Sequence, residues 1–185
     1  MLEDNSDPLF RFGSDIGCLS VLVSETQDDQ VASGAGDFKI KWKNLIDGRD
    51  LTIVGHEAPI LSIGLDPLGE MLISSSCDGT FRVWSLQDGT ELHNGRHWTR
   101  SSDIGYAKCP ASVIIEPVDG AQFALLCEEQ IKIINRDEFT IFHEIDYKNA
   151  QCISWSDEGT FLAVGNKEGL VHIYNAASWM LGMCI

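Results

Sequence analysis

His56, Ser74 and Asp78 fall within one stretch, "GHEAPILSIGLDPLGEMLISSSCDGTFRVW" (residues 55–84), which ends on Trp84. Two kinds of chemistry use this set. A hydrolase would need the serine exposed on a strained elbow such as G-x-S-x-G, beside an oxyanion hole. No G-x-S-x-G occurs in the sequence. The alternative is a buried hydrogen-bond chain. Indole N–H only donates, a carboxylate only accepts, and hydroxyl and imidazole can do both, so Trp84–Ser74–His56–Asp78 satisfies every member. A second copy of the pattern elsewhere in the chain decides for structure over catalysis.

Four runs share a turn followed by alternating apolar residues that end in a large side chain. They are "GDFKIKW" ending at Trp42, "DGTFRVW" at Trp84, "EEQIKII" at Ile134 and "EGLVHIY" at Tyr174, spaced by 42, 50 and 40 residues. Upstream of each lie two more alternating segments joined by a polar turn, for example "PILSIGLD", "PLGE" and "MLISSSC". Downstream lies a less regular fourth segment, of which "WMLGMCI" is the last. Alternation of period two punctuated by Gly, Asp and Pro reads as antiparallel hairpins. Four strands per unit of about 40–45 residues is the blade of a β-propeller.

In WD repeats a Gly-His pair precedes the first strand, an Asp sits in the turn between the second and third, and a Trp ends the third. Gly55-His56, Asp78 and Trp84 take those places, with Ser74 on the second strand. The His56, Ser74, Asp78 and Trp84 set is therefore expected to be a structural tetrad, and no catalytic residue is assigned. The first copy offers Ser33, Asp37 and Trp42 as its counterparts, without a Gly-His. The fold class expected is all-β, a WD-repeat β-propeller of about four four-stranded blades. Its expected organisation is an acidic tail over 1–8, then blades over 9–54, 55–103, 104–146 and 147–185. Four blades are an incomplete part of a seven-bladed ring, so an open arc is expected, which expressed alone should aggregate or bind a hydrophobic dye.

Composition narrows the partners. Thirteen basic against 28 acidic residues give a net charge of −15, which repels phosphate backbones. No signal peptide or apolar run of membrane-spanning length is visible. Six scattered cysteines without C-x-x-C read as buried free thiols. His93 and His97 have a metal spacing only on a helix, and they fall in a strand and its following loop, so no metal is assigned. "CDGT", "QDGT" and "VDGA" are hairpin turns rather than calcium loops, and "SGAGD" opens no helix that could cradle phosphate. No cofactor is implied.

Residues 55–84 resemble the amino-terminal propeller of the chromosome transmission fidelity / acidic nucleoplasmic DNA-binding protein family, the WD-repeat and HMG-box DNA-binding proteins. "ISWSDEGTFLAVGNKEGLVHIYN" (residues 153–175) is similar to a later blade of that propeller, and "VASGAGDFKIKW" to the blade before residue 55. The resemblance spans roughly residues 9–185. It implies a nuclear replisome adaptor that links the replicative helicase to the primase-polymerase and supports sister-chromatid cohesion. It assigns trimerisation and the DNA-binding HMG box to regions outside this chain, so no direct nucleic-acid or membrane binding is expected here.

A non-catalytic protein-interaction scaffold is accordingly the leading reading. A substrate receptor for a cullin-type ubiquitin ligase is the alternative, but that role usually shows W-D-x-R after the third strand, where this chain has "WKNL", "WSLQ" and "YNAA". The candidate partner-binding residues are Arg96, Trp98, Arg100 and Tyr106 in the segment "GRHWTRSSDIGYAK", which lies in the longest spacing between repeats. Arginine and aromatic side chains anchor interfaces because they cover large areas and make directed polar contacts.

Overall fold

The computed structural model describes residues 18–24, 29–96, 112–127 and 130–185. These residues form sixteen strands in four antiparallel sheets of four, with no helix among them. The first sheet holds β1 (Cys18–Ser24), β2 (Gln30–Ala35), β3 (Lys39–Asn44) and β4 (Asp50–Val54). The second holds β5 (Ile60–Leu65), β6 (Met71–Ser76), β7 (Thr80–Ser85) and β8 (Glu91–Arg96). The third holds β9 (Val113–Ile115), β10 (Gln122–Leu126), β11 (Gln130–Asn135) and β12 (Ile141–Asp146). The fourth holds β13 (Ala150–Trp155), β14 (Phe161–Asn166), β15 (Val171–Asn175) and β16 (Leu181–Cys184). Strand order equals chain order in every sheet, so each is a meander of hairpins.

The hairpin between the third and fourth strands repeats one device. Asn44, Asn135 and Asn175 each accept two main-chain N–H bonds on the side-chain Oδ1, from Ile46 and Asp47, Asp137 and Glu138, and Ala177 and Ser178. Such Asx turns favour a reversal over strand continuation. Each turn then needs one residue in the left-handed region. Gly48 and Gly89 supply it at φ 77° and 76°, whereas Phe139 and Trp179 adopt it at φ 54°. For a bulky residue that conformation costs about 1–3 kcal/mol. Packing offsets it: Phe139 stacks on His93, with centroids 4.7 Å apart, and Trp179 stacks on His143 at 5.6 Å.

The sheets pack face to face through three apolar seams. Ala32, Ile40, Trp42 and Ile53 of the first sheet meet Ile60, Ile63, Leu72 and Trp84 of the second. Ile73, Phe81 and Val83 then meet Phe123, Leu125 and Ile134 of the third. Leu126, Ile131 and Ile133 meet Ile153, Leu162, Val164 and Tyr174 of the fourth. The first strands lie along one common edge, β5 against β1 and β2, β9 against β5 and β6, and β13 against β9 and β10. Ser62 ties two of them, its Oγ accepting from Val113 N at 3.2 Å. Each fully buried aliphatic side chain in a seam contributes roughly 1.5–3 kcal/mol, so each sheet is held chiefly by its neighbours.

The fourth sheet has one covered face and one open face. Phe161, Val171 and Met183 are exposed, as are Leu181 and Ile185. A hydrophobic dye is expected to report that surface. Two of the cysteines correct the expectation of buried thiols: Cys77 and Cys127 are buried, but Cys152 and Cys184 are exposed because they lie on this less covered sheet. Burial pushes the Cys127 thiol up to about 11. Alkylation of the native protein followed by peptide mapping should therefore label Cys152 and Cys184 and spare Cys77 and Cys127 until denaturant is added. Early labelling of Cys127 would contradict the burial of the seam it lies in.

Candidate functional site

Two strands, β6 and β7, and two connections of the second sheet assemble the only complete tetrad anticipated from sequence. Trp84 Nε1 donates to Ser74 Oγ at 2.8 Å, and Ser74 Oγ lies 2.8 Å from His56 Nε2. His56 Nδ1 lies 2.8 Å from Asp78 Oδ2. With the carboxylate accepting from Nδ1–H, Nε2 accepts the serine proton, and the serine oxygen accepts the indole N–H. Every proton in the chain is used. Gly55 precedes His56 because the Trp84 ring passes over it: a Cβ there would stand 2.7 Å from Trp84 Cη2.

The arrangement of Ser74, His56 and Asp78 has the order of a catalytic triad, but its accessibility is that of a core. Ser74 is 0% exposed and His56 5%. A substrate carbonyl has no path to the serine oxygen, and that oxygen already accepts the Trp84 N–H. The arrangement can lock turns together, and it cannot acylate. Two members escaped the sequence reading. Thr80 Oγ donates to Asp78 Oδ1 at 2.6 Å and lies 3.2 Å from His56 Nδ1, and Glu57 N donates to Asp78 Oδ2 at 3.1 Å. The "DGT" turn carried the signal for the first, since Asp88 and Thr90 in "QDGT" form the same bond at 2.8 Å. For Asp78, burial alone would raise the carboxyl pKa. Hydrogen bonds from His56, Thr80 and the Glu57 main chain outweigh it and hold the pKa well below the usual carboxylate range.

The first repeat departs from expectation. Trp42 does not occupy the place of Trp84. Gly34 lies opposite Ile40 just as Ser75 lies opposite Phe81, so Trp42 aligns with Val83 and Lys43 with Trp84. The turns agree, because Asn44 N bonds Arg49 O as Ser85 N bonds Thr90 O. A shift of one residue turns a strand side chain to the opposite face. Trp42 therefore points into the seam with the second sheet, and its Nε1 donates to Gln30 Oε1 at 2.9 Å rather than to Ser33. Lys39, Lys41 and Lys43 alternate with the buried Ile40 and Trp42 along β3.

A charged link crosses the seam between the second and third sheets. Arg136, the residue after Asn135, places Nη2 2.9 Å from Asp66 Oδ2 and 2.8 Å from Glu70 Oε2. Asp66 is 2% exposed. Burial raises its pKa, and the Arg136 charge opposes that rise. Carboxyls shifted in this direction favour the protonated folded form, so ionised Asp66 lowers stability as pH rises through its raised folded pKa. Conversion of Asp66 to Asn should therefore flatten the pH dependence of unfolding just above the ordinary aspartate range. An unaltered profile between pH 4 and 7 would show that Asp66 is not the group responsible.

Of the interface residues anticipated from sequence, Arg96 is the exposed last residue of β8. Trp98, Arg100 and Tyr106 lie outside the described residues, as does His97. Among the described residues no group of three His, Cys, Asp or Glu side chains could hold a metal ion.

Comparison with known proteins gives a consistent result. Residues 3–183 match the family described as the WDHD1 first WD40 domain. The mouse protein named WD repeat and HMG-box DNA-binding protein 1 is 31% identical over 159 residues, covering 83% of this chain and 14% of its own length. Its human counterpart is 30% identical over 161 residues, with the same coverage. The Xenopus laevis protein of that name is 28% identical over 162 residues, 85% of this chain and 14% of its own. The chain thus spans about one seventh of the length of these relatives.

Proposed function

The chain belongs to the family of the WDHD1 first WD40 domain, and on that premise we propose that it is a non-catalytic protein-interaction scaffold of the DNA replication machinery. The match over residues 3–183 is the observation that carries the reading. By resemblance, its partners are the primase-polymerase and the replicative helicase, its setting is the nucleus, and its wider role is in sister-chromatid cohesion. The second sheet supports a scaffold rather than an enzyme: its one Ser–His–Asp array is sealed from solvent and spent on holding turns.

The test is capture. Immobilised on beads, the chain is expected to retain purified primase-polymerase or helicase complex. Converting Trp98 and Arg100 to Ala should weaken that retention without lowering the melting temperature. Failure of both complexes to bind defeats the replisome assignment. Unfolding of the double variant makes the 95–108 segment structural instead.

The relatives are named for DNA binding and an HMG box, which the family resemblance places elsewhere in the polypeptide. Charge argues the same way, since a chain of −15 has no counterion release to gain from a duplex. Fluorescence anisotropy at physiological salt is expected to show no binding of duplex DNA. A micromolar dissociation constant would overturn that expectation.

A further inference from the structure

One position recurs in all four sheets, and at the three seams between them it has three different occupants. Leu45, Leu86, Arg136 and Ala176 each follow the residue that opens the turn after the third strand, namely Asn44, Ser85, Asn135 and Asn175. Main-chain bonds fix the equivalence: Leu86 N bonds Glu70 O, Arg136 N bonds Ala121 O, and Ala176 N bonds Thr160 O. Leu86 fills its seam as a 2% exposed apolar side chain. Arg136 fills the next by reaching the carboxylates of Asp66 and Glu70. At the last seam the side chain is a methyl group.

One carboxylate of the second arrangement is nevertheless preserved at the last seam, while Ala121 takes the place of Glu70. Glu116 follows β9 as Asp66 follows β5. Asp66 Oδ1 stands against Gly120, where a Cβ would approach within 2.5 Å, and Glu116 Oε1 stands against Gly159 in the same way. The two glycines have the same left-handed backbone, at φ 66° and 65°. Glu116 is anchored by N–H bonds from Val118, Asp119 and Gly120 at 3.0–3.1 Å. Beside it, where an arginine at position 176 would lie, is a cleft of about 400 Å³. Glu116, Asp119, Trp155, Glu158, Thr160 and Ala176 line it. Trp155 stands in its wall, and its Nε1 is buried with no hydrogen-bond partner among the described residues.

We propose that this cleft between the third and fourth sheets receives an arginine side chain presented by another polypeptide, in the place that Arg136 takes at the preceding seam. Carboxylates at Glu116 and Glu158 match a guanidinium in charge and in donor geometry. An indole in the wall adds a π-face for the cation. The unpaired Trp155 N–H is a donor for a main-chain carbonyl that the same segment brings. A net charge of −15 draws basic segments toward the surface. The inference deepens the scaffold reading by naming the chemistry of a partner, and it is independent of whether that partner belongs to the replisome.

The probe is a doubly blocked Gly-Arg-Gly peptide titrated into the full chain, with the indole N–H resonances as readout. Saturable binding is expected, with the Trp155 indole proton moving downfield as it gains an acceptor. The isosteric citrulline peptide, which lacks the charge, should bind about tenfold more weakly or worse. Ala176→Arg places a guanidinium in the cleft from within, and it should abolish the titration. Ala176→Gln, which fills the cleft without a charge, serves the same purpose should the arginine variant fail to fold. Equal binding of the two peptides overturns the proposal. So does saturation unchanged in the folded position-176 variant, or a titration that leaves the Trp155 indole unmoved. Because the peptide reads the cleft alone, its failure is distinguishable from failure to retain primase-polymerase.

Discussion

Trp42→Ala should lower the unfolding free energy by about 3–5 kcal/mol, the range for removing a large aromatic side chain from a packed core. Trp42 is 1% exposed and packs among Ile40, Ile60 and Leu72 at the first seam. Gln30 is 2% exposed and accepts the indole N–H at 2.9 Å, so its Oε1 loses its indole donor in the variant. Because the seam joins two sheets, the loss should appear as a shift of the whole transition in a urea melt. Gln30→Ala isolates the polar part and should cost about 1–3 kcal/mol, the penalty for a buried donor left without an acceptor. A Trp42→Ala variant within about 1 kcal/mol of the parent would mean that the tryptophan faces out of the seam, since surface changes stay near or below that size.

His56→Ala should cost about 1–3 kcal/mol for the buried groups it strands. Ser74 loses the acceptor of its proton, while Asp78 loses its partner at 2.8 Å. The same substitution should change the acid limb of the stability profile. Asp78 is held below the usual range against the effect of burial, by bonds from His56, Thr80 and the Glu57 main chain. A depressed carboxylate contributes stability that is complete above its unfolded value, about 3.9, and is lost as pH falls toward the folded value. Removing His56 removes the largest of the opposing interactions. The stability lost between pH 5 and 2.5 should therefore be smaller in the variant than in the parent. Equal midpoints at neutral pH would sink the structural role of the tetrad, and equal acid limbs would remove His56 as the cause of the shift.

Local signals carried most of the fold. Period-two alternation and turns rich in Gly, Asp and Asn are properties of a few adjacent residues, and they identified four hairpin units before any packing was known. The tetrad was legible for a related reason: His56, Ser74, Asp78 and Trp84 lie in one repeat, and their donor and acceptor capacities permit only one fully satisfied order. The place of Trp42 was not legible from its type. Its one cue was spacing, since Trp42 comes five residues after Asp37 whereas Trp84 comes six after Asp78. The two β2–β3 and β6–β7 turns have the same length, with Phe38 at φ 69° standing where Gly79 stands at φ 86°. One residue of spacing therefore became one residue of register, and the tryptophan turned to the other face.

Contacts between sheets belong to the tertiary structure alone. Arg136 and Asp66 are 70 positions apart and meet only because the third sheet stacks on the second. Nothing near Ala176 announces a cleft, because the cleft is defined by what Leu86 and Arg136 do at the equivalent places in the other seams. The exposure of Cys152 likewise depends on which face of the fourth sheet has a neighbour, and that of Cys184 on its place in the outermost strand. Alternation along a strand says that one face is apolar, and the residues facing it lie in another sheet, whose register the strand itself does not encode. Sequence by itself determined the strands, the turns and the hydrogen-bond chain within one repeat, since each is set by near neighbours. Only the stacked sheets decided which side chains meet across a seam, because that depends on register and side-chain volume summed over two units at once.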